Sequence, residues 1–522
     1  MKQATTTVQL DEINARKSVG DFVGAAELIA QALAETPNYF LDPSAWAQLL
    51  NHPATFEHAQ EHEANVLFMT AVMMMLEELC EQLGYASAQS LCDAFLKGAQ
   101  FRLTAHSDVD VKDLMIMRRR IFLRSSFVLP ERDFSFATPV ANPWRPRIGI
   151  LFRHLRADPE TTSLLPFFSQ AKKSGIETII FVAEEHPMDA FGHRMASGCD
   201  RIIPLPADLP QAVRALREAD LDVLVFGNDI TAKASLGACL SFHRVARRAV
   251  CTVSTLVTSA SPYVDEYFGC GYHAQRGAAT EFVERYTSLP GSGFAFCFGE
   301  EKSPLQVTIN RAQLGLSEET MLFVSGANQT KLHGPVLDAW VEILRRVPDS
   351  ALFLYPFPPH FGPAQDTVVA RLRGRFKRNG VNPARIIVLP QLPGRSAVKS
   401  LLRQMDIGLD SFPYPGVTTI VDAIESHLPT VTLAGQSLRS AQAAAVLSSA
   451  GMDDLITHDV ESYIQTAVTL ATQTELRRTV VGRLKNIVAG TPPFLDDIGF
   501  GRAAVHEYFR IHDELKKQQV NA

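Results

Sequence analysis

From Arg147 onward, short apolar runs alternate with segments of helical spacing, and this alternation constrains the fold more than any other feature of the 522 residues. Ile148 to Phe152, Glu177 to Val182, Val223 to Phe226 and Ala249 to Thr255 read as buried strands, with helices at Thr161 to Ser174 and Leu209 to Ala219 between them. Strands apolar on both faces need cover on both faces, and parallel strands joined by helices supply it. A break rich in Gly, Ser and charge, Pro290 to Pro304, ends this unit. The alternation then resumes with strands at Met321 to Ser325, Ala351 to Tyr355, Ile386 to Leu389, Ile407 to Leu409 and Thr430 to Leu433, and helices at Pro335 to Val347 and Thr367 to Asn379. Two consecutive doubly wound units predict an α/β chain with a cleft at the carboxyl ends of both sheets, where such folds bind ligands. Before them, Phe22 to Leu33, Ala64 to Leu83, Ala88 to Phe101 and Val111 to Phe127 read as helices without self-similarity at about 34 residues, the tetratricopeptide period. Pro139, Pro143 and Pro146 punctuate the seam from Ser135 to Arg147.

Composition excludes several classes. A formal net charge of −6 argues against a nucleic-acid partner, since no wide basic field faces phosphates. The compact basic run Arg118-Arg119-Arg120 is expected at the solvated end of a helix. The seven cysteines are odd in number and never spaced Cys-x-x-Cys, which predicts free thiols in a reducing cytoplasm and no zinc site. The polar start, Met1 to Arg16, is no signal peptide, and Val66 to Leu76 is too short to span a bilayer. Its Met73-Met74-Met75 triplet is expected to fill a core.

The most informative local segment begins at Asp406. The strand Ile407 to Leu409 runs into Phe412-Pro413-Tyr414-Pro415-Gly416, and a helix then opens with Thr418 and Thr419, followed by Asp422. Free N–H groups and the positive end of a helix favour an anion, and two hydroxyls add donors without bulk. Asp422, one turn in, is placed to accept from a ribose. An ordinary strand-turn-helix with Thr419 as N-cap has the same residues. In parallel, Met321 to Ser325 leads into Gly326-Ala327-Asn328-Gln329-Thr330-Lys331, which puts a lysine just past a strand end, either solvated or within reach of a bound pyrophosphate.

In order along about residues 145 to 515, these segments resemble the O-GlcNAc transferase-like superfamily of glycosyltransferases, and the Phe412 to Gly416 and Ile420 to Asp422 stretches look closest to its soluble bacterial adhesin N-glycosyltransferases. The resemblance implies a GT-B fold of two Rossmann-like domains behind an all-α domain. The helical domain would be 1–135, the acceptor-side domain 145–290, and the UDP-sugar domain 304–515 with the C-terminal helices. It implies donor-binding roles for Asn328, Gln329 and Lys331, for Gln391 and Leu392 in a loop that holds uracil through its backbone, and for Gly416, Thr418, Thr419 and Asp422. Lys331 would neutralise the departing diphosphate. His154 and Asp158 would orient the acceptor or assist proton transfer, and turns containing Asp229 and Ser259 would line the cleft.

Val398 and Arg403 depart from the family where it places UDP contacts, as does the glycine-poor turn at 258–262. The expected cleft loops lack Asp-x-Asp, which suits a mechanism without metal or added cofactor. The implied activity is inverting transfer of a hexose, glucose for the adhesin branch, from a UDP-sugar to Asn of an acceptor protein such as an adhesin. Gly435-Gln436-Ser437-Leu438-Arg439 and the Asn-Gln loop look more like the Ser/Thr-modifying branch. A catalytically silent GT-B protein assisting adhesin or flagellin assembly is the rival from another class.

Overall fold

A computed structural model of the chain describes residues 11–35, 40–50, 61–299, 305–355 and 363–520. The break expected at Pro290 to Pro304 lies partly outside these residues. The first sheet contains β1 (Arg147–Phe152), β2 (Glu177–Val182), β3 (Arg201–Pro204), β4 (Val223–Phe226), β5 (Arg248–Thr252), β6 (Glu266–Cys270) and β7 (Arg285–Leu289), in the order β3-β2-β1-β4-β5-β6-β7. The second contains β8 (Met321–Ser325), β9 (Ser350–Leu354), β10 (Ile386–Val388), β11 (Ile407–Leu409), β12 (Thr430–Leu433) and β13 (Ile456–Thr457), ordered β10-β9-β8-β11-β12-β13. Every pairing is parallel. The chain thus has the expected α/β architecture of two doubly wound domains behind helices.

In each sheet the strand order reverses once, between β1 and β4 and between β8 and β11. Connections leaving the two strands at a reversal go to opposite faces, which opens a crevice at their carboxyl ends. Four loops therefore define where a ligand fits: those after β1, β4, β8 and β11.

Two expectations need correction. The C-terminal helix Asp497–Val520, assigned with the second domain, returns to the first. Its apolar positions Phe500, Ala504, Tyr508 and Ile511 are buried, and Tyr508 meets Phe167 with ring centroids 4.8 Å apart. Arg510 binds Glu266 at 2.6 Å, and His512 Nε2 lies 2.9 Å from the carbonyl of Asn142. The helix buries its stripe there because the first domain offers the apolar face of the helix Pro159–Ala171. The second correction concerns Arg118, which is buried rather than solvated. Its guanidinium donates to the carbonyl of Ile230 at 3.1 Å and lies 4.5 Å from the centroid of the Phe122 ring.

Arg118 belongs to a helical domain that packs on both others. Phe122 stacks on Phe242 at 4.6 Å, and the Phe101 amide donates to the carbonyl of Ala232 at 3.0 Å. On the second domain, Asp108 accepts from the amides of Gln436 and Ser437, each at 2.8 Å, and buried Arg439 donates to the carbonyl of Ser107 at 2.9 Å. The segment Gly435 to Arg439 is therefore a domain seam. All seven cysteines are free, and no helix among the described residues is long and apolar enough to cross a membrane.

Candidate functional site

After β8, Asn328 uses its side-chain oxygen locally, accepting from the Thr330 amide at 3.1 Å and hydroxyl at 2.7 Å, and so shapes the single turn Gln329–Lys331. Gln329 is buried, and its Nε2 has no partner among the described residues. Lys331 reaches the loop after β11: its ammonium donates to the carbonyl of Pro415 at 2.7 Å and stands 4.4 Å from the centroid of the Tyr414 ring. Burial, chiefly, and the Arg102 guanidinium push its pKa down to about 8, against the pull of Asp410. At neutral pH the amine therefore stays mostly charged.

Asp410, at the end of β11, is the carboxylate that sequence reasoning passed over. It accepts from the amide of Gly416 and the hydroxyl of Thr432, both at 2.8 Å, and burial raises its pKa to about 6 despite Lys331. Its backbone is fixed from behind, where Tyr463 donates to the Asp410 carbonyl at 2.8 Å and Trp340 donates to the Tyr463 hydroxyl at 3.2 Å. Nothing in the local pattern separates this aspartate from a loop residue.

The helix Thr418–Glu425 follows, with Val417 as N-cap and no side chain capping it, so Thr419 is not the cap. The N–H groups of Thr418 and Thr419 have no partner among the described residues and are open to a ligand, while that of Ile420 donates back to the Val417 carbonyl at 3.1 Å. Thr419 is wedged between the two loops. A Cβ on Gly416 would come within 1.8 Å of its hydroxyl, and one on Gly326 within 2.8 Å of its methyl, so both glycines are needed for the close approach. Thr418 lies half-buried beside it. Buried Asp422 is ion-paired with Arg395, which also binds Glu425 and lies 3.6 Å over the Phe298 ring. Arg395, Phe298, Lys399, Glu425 and Asp497 line a cavity of about 620 Å³. That volume lies within the range of small-molecule sites, roughly 300–1,000 Å³. In the loop after β10, Gln391 is exposed and Leu392 half-buried, packed against the apolar cluster that includes Tyr355.

Across the cleft, the structure brings the acceptor candidates together but gives them different work. Asp158 caps the helix Pro159–Ala171, accepting from the Thr161 amide at 2.7 Å, and His154 Nδ1 stands 3.9 Å from its other oxygen. Two residues on, Glu160 accepts from the side-chain amide of Asn228 and from the backbone of Asp229, at the ends of β1 and β4. Burial, with Asp158 and Asp229 adding, raises its pKa to about 7. Sequence reasoning missed Glu160, and no motif marks it. Asp229 is held by the Thr231 amide at 2.7 Å, while Ser259 is occupied by buried Glu284.

The third wall comes from the helical domain. His106 faces Tyr414 at 5.1 Å between centroids and stacks on His62 at 5.9 Å, which meets His333 edge-on at 4.5 Å. All three histidines are buried and held neutral by that burial. Among the described residues no group of three His, Cys, Asp or Glu side chains is disposed to hold a metal ion.

Comparison with known proteins places this geometry. Residues 292–494 match the family model of glycosyl transferase family 41. A probable UDP-N-acetylglucosamine–peptide N-acetylglucosaminyltransferase SPINDLY of Solanum lycopersicum is 26% identical over 281 residues, and its Arabidopsis thaliana counterpart 27%. Each match covers 53% of this chain but only 29% of the relative, so the chain spans less than a third of these relatives' length. An O-GlcNAc transferase of Thermobaculum terrenum, solved as a lysine-to-methionine mutant, shares the fold over 99% of both chains, with a TM-score of 0.65 at 18% identity. The family match lies on the domain that carries Lys331, Asp410 and the Thr418–Glu425 helix, so this part of the chain is similar to glycosyl transferase family 41, while the structural likeness extends the shared fold over the whole chain.

Proposed function

We propose that this protein transfers a sugar from a UDP-sugar to a protein side chain, with the donor on the second domain and the acceptor on the first. The observation that carries the reading is the Lys331 ammonium, held between the loops after β8 and β11 and beside a helix start that no side chain caps. As the bond from sugar C1 to the diphosphate oxygen breaks, negative charge grows on UDP, and Lys331 with the open N–H groups offsets it. We assign metal-independent transfer to this arrangement. The nucleophile forms its bond to C1 from the opposite face, which inverts the anomeric centre, and its proton passes to a base. Glu160, with a pKa near 7, suits that task better than Asp158, whose oxygen is spent on its helix cap.

Glucosyl transfer to Asn, as in adhesin glycosyltransferases, is our first reading of donor and acceptor, and Gln391, Leu392, Thr418 and Thr419 are its proposed donor contacts. A second reading, N-acetylglucosamine onto Ser or Thr, is favoured by the names of the curated relatives. Incubation with isotope-labelled UDP-glucose or UDP-N-acetylglucosamine, acceptor peptides and a chelator tests all of this. The expected result is labelled peptide in the presence of chelator. Failure to bind or consume any UDP-sugar would refute the reading, and an absolute need for Mg²⁺ or Mn²⁺ would refute the metal-independent step.

A further inference from the structure

Arg102 sits on the short helix Phe101–His106, the turn by which the helical domain enters the mouth of the cleft. This turn is clamped on both sides. Its first amide binds the carbonyl of Ala232 on the first domain, and its last ring packs against Tyr414 on the second. Arg118, pinned to Ile230, braces it from behind with its guanidinium 5.4 Å from the centroid of the Phe101 ring. The Arg102 side chain is exposed and makes no hydrogen bond or ion pair among the described residues. Its charge nevertheless reaches groups on all three domains: Lys331 and Tyr414 on one side, Asp229 on the other, and His106 on its own turn.

Two cations from separate domains thus share one end of the cleft: Lys331 stands 4.4 Å from the Tyr414 ring, against which His106 of the Arg102 turn packs at 5.1 Å, and the charge of Arg102 bears on the ammonium. The nearby carboxylates are committed elsewhere, Asp410 to Gly416 and Thr432, and Asp229 to Thr231. Like charges brought together in a partly desolvated cleft repel, and an anion placed between them turns that repulsion into attraction. A guanidinium is moreover a planar fork matched to phosphate oxygens.

We propose that Arg102 is a donor-binding residue, and that the helical domain completes the nucleotide site by setting this guanidinium opposite Lys331 to hold the diphosphate. The inference rests on the UDP-sugar reading above. It makes the helical domain part of the active centre rather than an appendage.

Calorimetry with UDP and with uridine, on wild type, Arg102→Gln, Arg102→Lys and Lys331→Met, tests it. Arg102→Gln should weaken UDP about tenfold or more, the scale of one charge-assisted hydrogen bond, with a shallower salt dependence. Uridine affinity should not change, and Arg102→Lys should recover part of the loss. UDP affinity within twofold of wild type in Arg102→Gln, while Lys331→Met still loses UDP, would overturn the role of Arg102 and leave the nucleotide site standing. An equal loss for uridine and UDP would also overturn it, because the substitution would then have altered the shape of the site. If wild type binds no UDP, the functional reading itself falls, and this inference with it.

Discussion

Replacing His106 with Phe should weaken the pH dependence of the helical domain's docking. His106 is buried between His62 and Tyr414, its Nδ1 has no hydrogen-bond partner among the described residues, and a phenyl ring keeps both ring contacts. Burial, chiefly, and then Lys331, His333 and Arg102 push its pKa down to about 3. The unfolded value is about 6.5, so the folded pKa is the lower of the two. The neutral ring therefore suits the docked state. This stability is fully present above pH 6.5 and is lost as pH falls from there toward the folded value. At pH 5 the gap from 6.5 is about 1.5 units, and at about 1.36 kcal/mol per unit the loss from this one residue is about 2 kcal/mol. Glu160 and Asp410, whose values are raised, act with the opposite sign, and His62 and His333, whose values are lowered, act with the same sign, but all four are common to both proteins and largely cancel in the difference. Hydrogen exchange of the amides in Phe101–His106, read as an opening free energy at pH 7.5 and pH 5, should fall about 2 kcal/mol further in wild type than in His106→Phe. Parallel losses in the two proteins would refute the argument.

Lys331→Met should cut turnover by about 10²–10³-fold, the scale for one charge-stabilising donor, while melting stays near wild type because the removed ammonium was itself desolvated. Near-wild-type turnover on the true donor would remove Lys331 from the mechanism. Glu160→Gln should abolish transfer with UDP affinity intact, and wild-type turnover should rise with pH through about 7 as the base ionises. A carboxyl with a raised folded pKa loses stability as pH rises through that value, so the Gln variant should also melt higher than wild type at pH 8 and no higher at pH 5. Peptides containing Asn-x-Ser/Thr should be glucosylated and their Asn→Gln forms should not, with mass spectrometry locating the hexose. Label on Ser or Thr would move the chain to the O-transferring reading and leave the UDP site unchanged.

The loops of the second domain were legible because each follows an uninterrupted apolar run. Met321–Ser325 and Ile407–Leu409 have no polar residue before the strand end, so Lys331 and the Thr418-Thr419 pair could be placed past carboxyl ends from periodicity alone. β3, β6 and β7 were not legible. Their sequences, Arg-Ile-Ile-Pro, Glu-Tyr-Phe-Gly-Cys and Arg-Tyr-Thr-Ser-Leu, carry charge or turn residues, and β3 and β7 lie at sheet edges where one side needs no partner. Asp422 was placed on the right helix, but its pairing with Arg395 requires two helices 27 residues apart to meet side by side. Such a meeting has no period.

The same limit explains Glu160, Arg102 and the three histidines. A carboxyl acquires a pKa near 7 only when the walls of the cleft close over it and Asp158 and Asp229 stand beside it, against the pull of the Asn228 amide. Arg102 looks like any surface arginine until the turn that carries it is fixed at one end to Ala232 and at the other to Tyr414. His62, His106 and His333 become a neutral cluster because three segments exclude water together. Loops at the reversal of strand order hold the groups that sequence could find, since each loop begins where a strand stops. The groups it missed share a different origin, in that each draws its chemistry from a neighbour on another domain or another strand end. For this cleft, then, the Rossmann pair sets the position of the site, and the helical domain's contact with both halves sets the electrostatics within it.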